Sequence, residues 1–171
     1  MNGGLRVRLL VGVLAVGAAA MTACGSPGEA HRGPVTDEVE AIVRAMGVEP
    51  ERAAMQGYAY RSIEGGRACR DVADRDDHWV AERSAILPAG LVSGDGVVEA
   101  VAGRYQSAGA RVTRYRSTES GQRIVYAVDE ERSLHVKVET SAEGRASVFV
   151  TLSPCAAGLS TEPRGPYELE P

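Results

Sequence analysis

Few residues of this chain have side chains able to do chemistry. There are three cysteines (Cys24, Cys69 and Cys155), three histidines (His31, His78 and His135) and a single lysine, Lys137. The densest polar stretch is CRDVADRDDH, residues 69 to 78. Its Asp71, Asp74, Asp76, Asp77 and His78 suggest a cation site, but calcium takes about six to eight oxygens from a loop of defined spacing, and the EF-hand pattern is absent. Arg70 and Arg75 stand among these aspartates, so the stretch reads as a solvated, self-neutralising loop. No CxxC occurs and the histidines are far apart in sequence, so neither a metal nor another cofactor is expected.

Nucleophilic catalysis has as little support. The chain lacks G-x-S-x-G and S-x-x-K, and Ser120 before Gly121 is ordinary turn chemistry. Lys137 falls in mid-strand, with His135 beside it on what alternation makes the wet face. No glycine loop joins a strand to a helix to cradle phosphate. No catalytic residue is assigned. Tyr58, Tyr60, Tyr105, Tyr115 and Tyr126 could line a groove for a ligand or another envelope protein, or equally serve as half-buried residues of sheet and helix edges.

Cys24 has the clearest chemistry. Leu9–Ala20 is an uncharged apolar run preceded by Arg6 and Arg8, too short to span a bilayer and of signal-peptide length. It ends in Met21-Thr22-Ala23-Cys24, which resembles the lipobox of bacterial lipoproteins: an aliphatic residue, two small residues, then cysteine. The resemblance is confined to the signal peptide and Cys24. It implies that residues 1–23 are removed and that Cys24 takes a diacylglyceryl thioether, a reaction suited to a thiolate nucleophile. Two acyl chains hold a protein on a membrane stably where one is marginal. A plain secreted protein with a free Cys24, and an uncleaved anchor, are the alternatives.

Processing leaves about 150 residues, enough for one domain. The whole chain has a formal charge of −4, and loss of Arg6 and Arg8 makes the mature form more acidic. That excludes a nucleic-acid partner and makes the lipid, not charge, the membrane attachment. Arginine far exceeds lysine and Ala, Gly and Val abound, the mark of a GC-rich, actinobacterium-like genome. One Trp and one Phe leave the core to aliphatic residues. With Cys24 lipidated in an oxidising compartment, Cys69 and Cys155 make an even pair and are expected to form a disulfide.

These residues are positioned by elements that the pattern outlines. Residues 24–34, the lipidated cysteine and GSPGEAHRGP, read as a flexible linker, residues 35–157 as the domain, and residues 158–171, with three prolines, as a disordered tail. A helix capped by Thr36 carries Val35, Val39, Ile42, Val43 and Met46 on one face and stops at Gly47. ERAAMQ adds a turn. A strand runs through Tyr58 and Tyr60, and another follows Trp79, Ala81, Ala85 and Leu87, with Arg83 out of pattern. A second helix, capped by Ser93 or Asp95, presents Val97, Val98, Val101, Tyr105 and Ala108 and stops at Gly109.

Four β-rich runs joined by hairpin-length turns complete the domain: ARVTRYRS, RIVYAV, SLHVKVE and ASVFVTLS. Leu134, Val136 and Val138 alternate with His135, Lys137 and Glu139, which predicts one buried and one solvated face. The expected fold is α+β, a two-layer arrangement of a four- to five-stranded antiparallel meander on one or two helices, in an order similar to cystatin-like folds. The expected function is that of an envelope lipoprotein on the extracytoplasmic face of the cell membrane, with a small non-catalytic binding or accessory domain. Its partner is an unknown envelope protein or small ligand. A small-molecule binder with a helix–sheet cavity, and an enzyme or enzyme inhibitor, are the alternatives.

Overall fold

The computed structural model describes residues 27–62 and 79–171. Helix α1 (Pro27–Ala45) leads through a 3-10 turn (Pro50–Arg52) to two short strands, β1 (Ala54–Met55) and β2 (Ala59–Ser62). Then come β3 (Trp79–Leu87), α2 (Gly94–Ser107), β4 (Arg111–Ser117), β5 (Arg123–Asp129), β6 (Leu134–Thr140) and β7 (Ala146–Leu152). A second 3-10 turn (Ala156–Gly158) precedes the last strand, β8 (Tyr167–Glu170). The class is α+β, with two helices on one antiparallel sheet among the described residues. Among the described residues no helix is long and apolar enough to cross a membrane.

Among the described residues the sheet has eight strands, not four to five, in the order β1-β3-β7-β6-β5-β4-β8, with β2 also paired to β3. The strands beyond the meander lie at the edges. β1 has two residues and no alternation of its own, and β2, which takes up Tyr60 of the expected strand, has all four residues exposed. They form because β3 offers unpaired backbone N–H and C=O groups along its free edge. β8 does the same for β4, with Tyr115 opposite Leu169. It is fixed by charge as well: Arg116 Nε donates to Glu170 Oε1 at 2.7 Å and Arg123 Nε to Oε2 at 2.8 Å. The expected disordered tail therefore contains a paired strand.

The expected linker also changes. Residues 27–34 belong to α1, whose only internal proline, Pro34, removes one helical N–H. Thr36 is inside the helix: its Oγ1 donates to Arg32 O at 2.7 Å and accepts from Arg83 Nη1 at 2.8 Å. The Arg83 contact explains the break in the β3 pattern, since an arginine on the helix-facing side has a polar partner there. The first turns of α1 are held by tertiary contacts: Tyr58 Oη donates to Gly28 O, and the His31 ring stacks on Trp79 at 3.8 Å. Gly28 lies so close to Tyr60 that a Cβ would come within 3.1 Å of its ring.

The helix–sheet layer forms as the pattern requires, except at Ala108, which follows α2 as its C-cap and is exposed. Val35, Val39, Ile42 and Val43 of α1 and Val97, Val98, Val101 and Tyr105 of α2 are 1% exposed or less. They meet Ala81, Ala85, Val148, Val150, Val136, Val138 and Val125, which are equally buried. Ser93 caps α2, accepting from Gly96 N at 3.1 Å, and Gly109 stops it with φ +82°.

The other face departs from expectation. β5 is buried at every position, and His135, expected to be exposed, is only 7% exposed. The cause is topological. The chain leaves β7 and must reach β4's free edge to form β8, on the far side of β6 and β5. The helices occupy the inner face, so residues 153–166 cross the outer one. The turn at Ala156–Gly158 packs on β5 and β6.

Candidate functional site

The crossing segment and the outer face of β5 and β6 enclose a cleft of about 480 Å³, within the range of small-molecule sites. Tyr126, His135, Lys137, Glu139, Arg164 and Tyr167 line it. The strand period of two places Tyr126 on β5, and His135, Lys137 and Glu139 on β6, on one face. Arg164 and Tyr167 come from the crossing segment and the start of β8.

Each group has a defined environment. The His135 ring lies 5.8 Å from that of Tyr126, and its Nε2 is buried without a hydrogen-bond partner. Burial lowers the His135 pKa. A backbone hydrogen bond with Ser160 opposes the shift, and Lys137 and Arg111 reinforce it. Tyr126 is pushed up to about 12 by burial, then by Glu139, Tyr115 and Tyr167. Lys137 pairs with Glu139, and its Nζ stands 5.5 Å from the centre of the Phe149 ring. Ser160 does not make a nucleophile–base pair with His135: its Oγ is engaged in its own turn, accepting from Glu162 N at 3.3 Å. The cleft thus offers a neutral imidazole, a phenol and an ion pair, groups suited to orienting a polar ligand.

An acid titration tests this environment. The folded His135 releases its proton more readily than the unfolded group, whose ordinary value is 6.5. Its neutral form therefore stabilises the fold above pH 6.5, and that contribution is lost as pH falls from 6.5 toward the folded value. The imidazole resonance in NMR is expected to titrate with a midpoint below 6.5. A midpoint at or above 6.5 would mean that the crossing segment does not cover the ring.

Two further polar clusters are structural. Glu38 of α1, only 5% exposed, accepts from Tyr105 Oη at 2.6 Å and Arg104 Nη2 at 3.1 Å, and pairs with Arg132. Burial alone would raise its pKa, but the hydrogen bonds from Tyr105, Arg132 and Arg104 outweigh that and hold it below 4.5. The carboxylate joins both helices to the β5–β6 turn. Arg123 reaches Asp95 at 2.9 Å and Glu99 at 3.1 Å on α2, besides Glu170. It ties α2, β5 and β8 together.

The sequence-predicted residues scatter. Cys24, Cys69, the aspartates at 71, 74, 76 and 77, and His78 lie outside the described residues. The five tyrosines do not share a groove. Tyr58 meets Gly28 and Arg32, Tyr60 stands by His31 and Trp79, Tyr105 is in the core, and Tyr115 meets Tyr126 edge-on at 6.1 Å. Glu38, Arg123, Arg164 and Tyr167 had no signal in the sequence, since their partners come from distant elements. Among the described residues no three His, Cys, Asp or Glu side chains are grouped to hold a metal. No protein-family model, curated protein or solved structure matches the chain.

Proposed function

We propose that the chain is an envelope lipoprotein, anchored through a lipid on Cys24 to the extracytoplasmic face of the cell membrane. Its domain acts as a non-catalytic binding or accessory module, and the cleft over β5 and β6 is where its small ligand or envelope partner sits. One contrast carries the binding reading. The buried charges Glu38 and Arg123 are fully used in joining elements, whereas the cleft holds His135, buried with Nε2 unpartnered beside Lys137 and Tyr126. The Met21-Thr22-Ala23-Cys24 site supports the anchor. A Cys69–Cys155 disulfide belongs to the same proposal. It is supported by the position of β3's first residue, Trp79, whose carbonyl accepts from Ser153 Oγ at 2.8 Å, two residues before Cys155.

Cys24→Ser is expected to abolish lipid labelling and to leave unprocessed or shed protein. Mature-sized variant still in the membrane fraction would refute the anchor. Intact mass of the processed protein should fall by two hydrogens relative to its reduced form. For the cleft, Lys137→Glu should lose the partner or ligand that the lipidated wild type recovers from envelope membranes, and unchanged recovery would place binding elsewhere.

A further inference from the structure

The end of the domain nearest the lipidated cysteine is aromatic. His31 stacks on Trp79 at 3.8 Å with ring planes 19° apart, and Tyr60 continues the stack 6.2 Å from Trp79. Tyr60 is 36% exposed, and Trp79 and His31 are partly exposed. The three rings come from α1, β2 and β3. They meet because Ser62 is the register partner of Trp79 at the end of the β2–β3 pair, and because the first turns of α1 lie against Tyr58 and Tyr60.

We propose that this aromatic end docks on the bilayer surface, so that the domain is seated on the membrane rather than suspended above it. The inference rests on the lipid anchor at Cys24 and goes beyond it. Only Gly25 and Ser26 separate Cys24 from α1. Three residue steps reach at most about 10 Å when fully extended, so the first turn of α1 cannot be far from the lipid-bearing sulfur. The contacts that pin this turn to Tyr58 and Tyr60 make its position a property of the whole domain. Whatever lies beside it faces the headgroups.

The residues there suit that surface. Trp and Tyr favour the membrane–water interface, where an apolar ring and a polar edge are both accommodated. Among the described residues, the nearby arginines are already matched by carboxylates: Arg61 with Glu82 at 3.1 Å and Arg32 with Glu29 at 3.4 Å. Docking is thus driven by the rings, with charge playing a minor part, and is expected in zwitterionic lipid and at high salt. The reach of the tether excludes a partner that needs this end free of the bilayer.

The chain supplies its own probe, because Trp79 is its only tryptophan. Lipidated full-length mature protein is incorporated into phosphatidylcholine vesicles, with and without bromine on the upper acyl carbons. Trp79 emission is expected to be quenched by the brominated lipid, and to be shielded from aqueous iodide relative to the Cys24→Ser protein. Raising salt should change neither result. His31→Ser with Tyr60→Ser should reduce the quenching while the protein remains on the vesicles, circular dichroism reporting that it is folded. If lipidated, vesicle-bound wild type shows no quenching and no change in iodide access, docking is refuted and the anchor stands. If the wild type carries no lipid and does not associate with vesicles, the anchor itself has failed.

Discussion

Val136→Asp is expected to leave the domain without a cooperative thermal transition, while Lys137→Asp, one residue along the same strand, retains one. Val136 is fully buried on the helix-facing side of β6, with Ala127 and Val150 as register partners on either side. A carboxylate there finds no cation among those neighbours, and the effective cost of burying an ion is several kcal/mol. The lost valine contacts add about 1.5–3 kcal/mol. Together these approach the 5–15 kcal/mol that holds a typical domain folded. Lys137 points to the other face and its side chain is 31% exposed. Its substitution loses an ion pair and places like charges beside Glu139, at a cost of about 1 kcal/mol. Circular dichroism melting of the two variants separates the outcomes. Similar melting curves would mean that the facing of β6 is wrong.

Glu38→Ala is expected to lower stability by about 2–3 kcal/mol, more than a typical surface substitution and less than a full buried-pair break. The deletion strands the Tyr105 hydroxyl, since Tyr105 is 1% exposed. The two arginines keep access to solvent: the side chains of Arg104 and Arg132 are 37% and 50% exposed and can turn to water. That access is why the expected loss stays below the range for a fully buried pair.

The same residue sets a pH dependence. Its carboxyl is held below the ordinary 4.5, so the folded form binds a proton less readily than the unfolded one. The resulting stability is present above pH 4.5 and is lost as pH falls through the folded value. Denaturant midpoints of wild type and Glu38→Gln should therefore converge on acidification below 4.5. A constant gap across that window would show that the Glu38 charge does not stabilise the fold. Glu170, lowered despite its burial by Arg123 and Arg116, acts in the same direction and remains in the variant.

By itself the sequence determined the elements that carry their own periodicity. Leu134, Val136 and Val138 fixed β6 and its buried face, because alternation over several residues has one way to hide its apolar half. Val97, Val98, Val101 and Tyr105 marked the stripe of α2, and Gly47 and Gly109 marked the helix ends through their positive φ. Tertiary structure alone decided what covers an edge or a face. β1 and β8 have no pattern of their own and exist because a neighbouring backbone offers hydrogen bonds. The first turns of α1 are stabilised by Tyr58, Tyr60 and Trp79, which lie 30 or more residues away in the chain and so leave no mark on local sequence. The burial of His135 has the same origin. Alternation assigned it to the outer face correctly, and a local pattern carries no record of a distant segment that later crosses that face on its way to the opposite edge of the sheet.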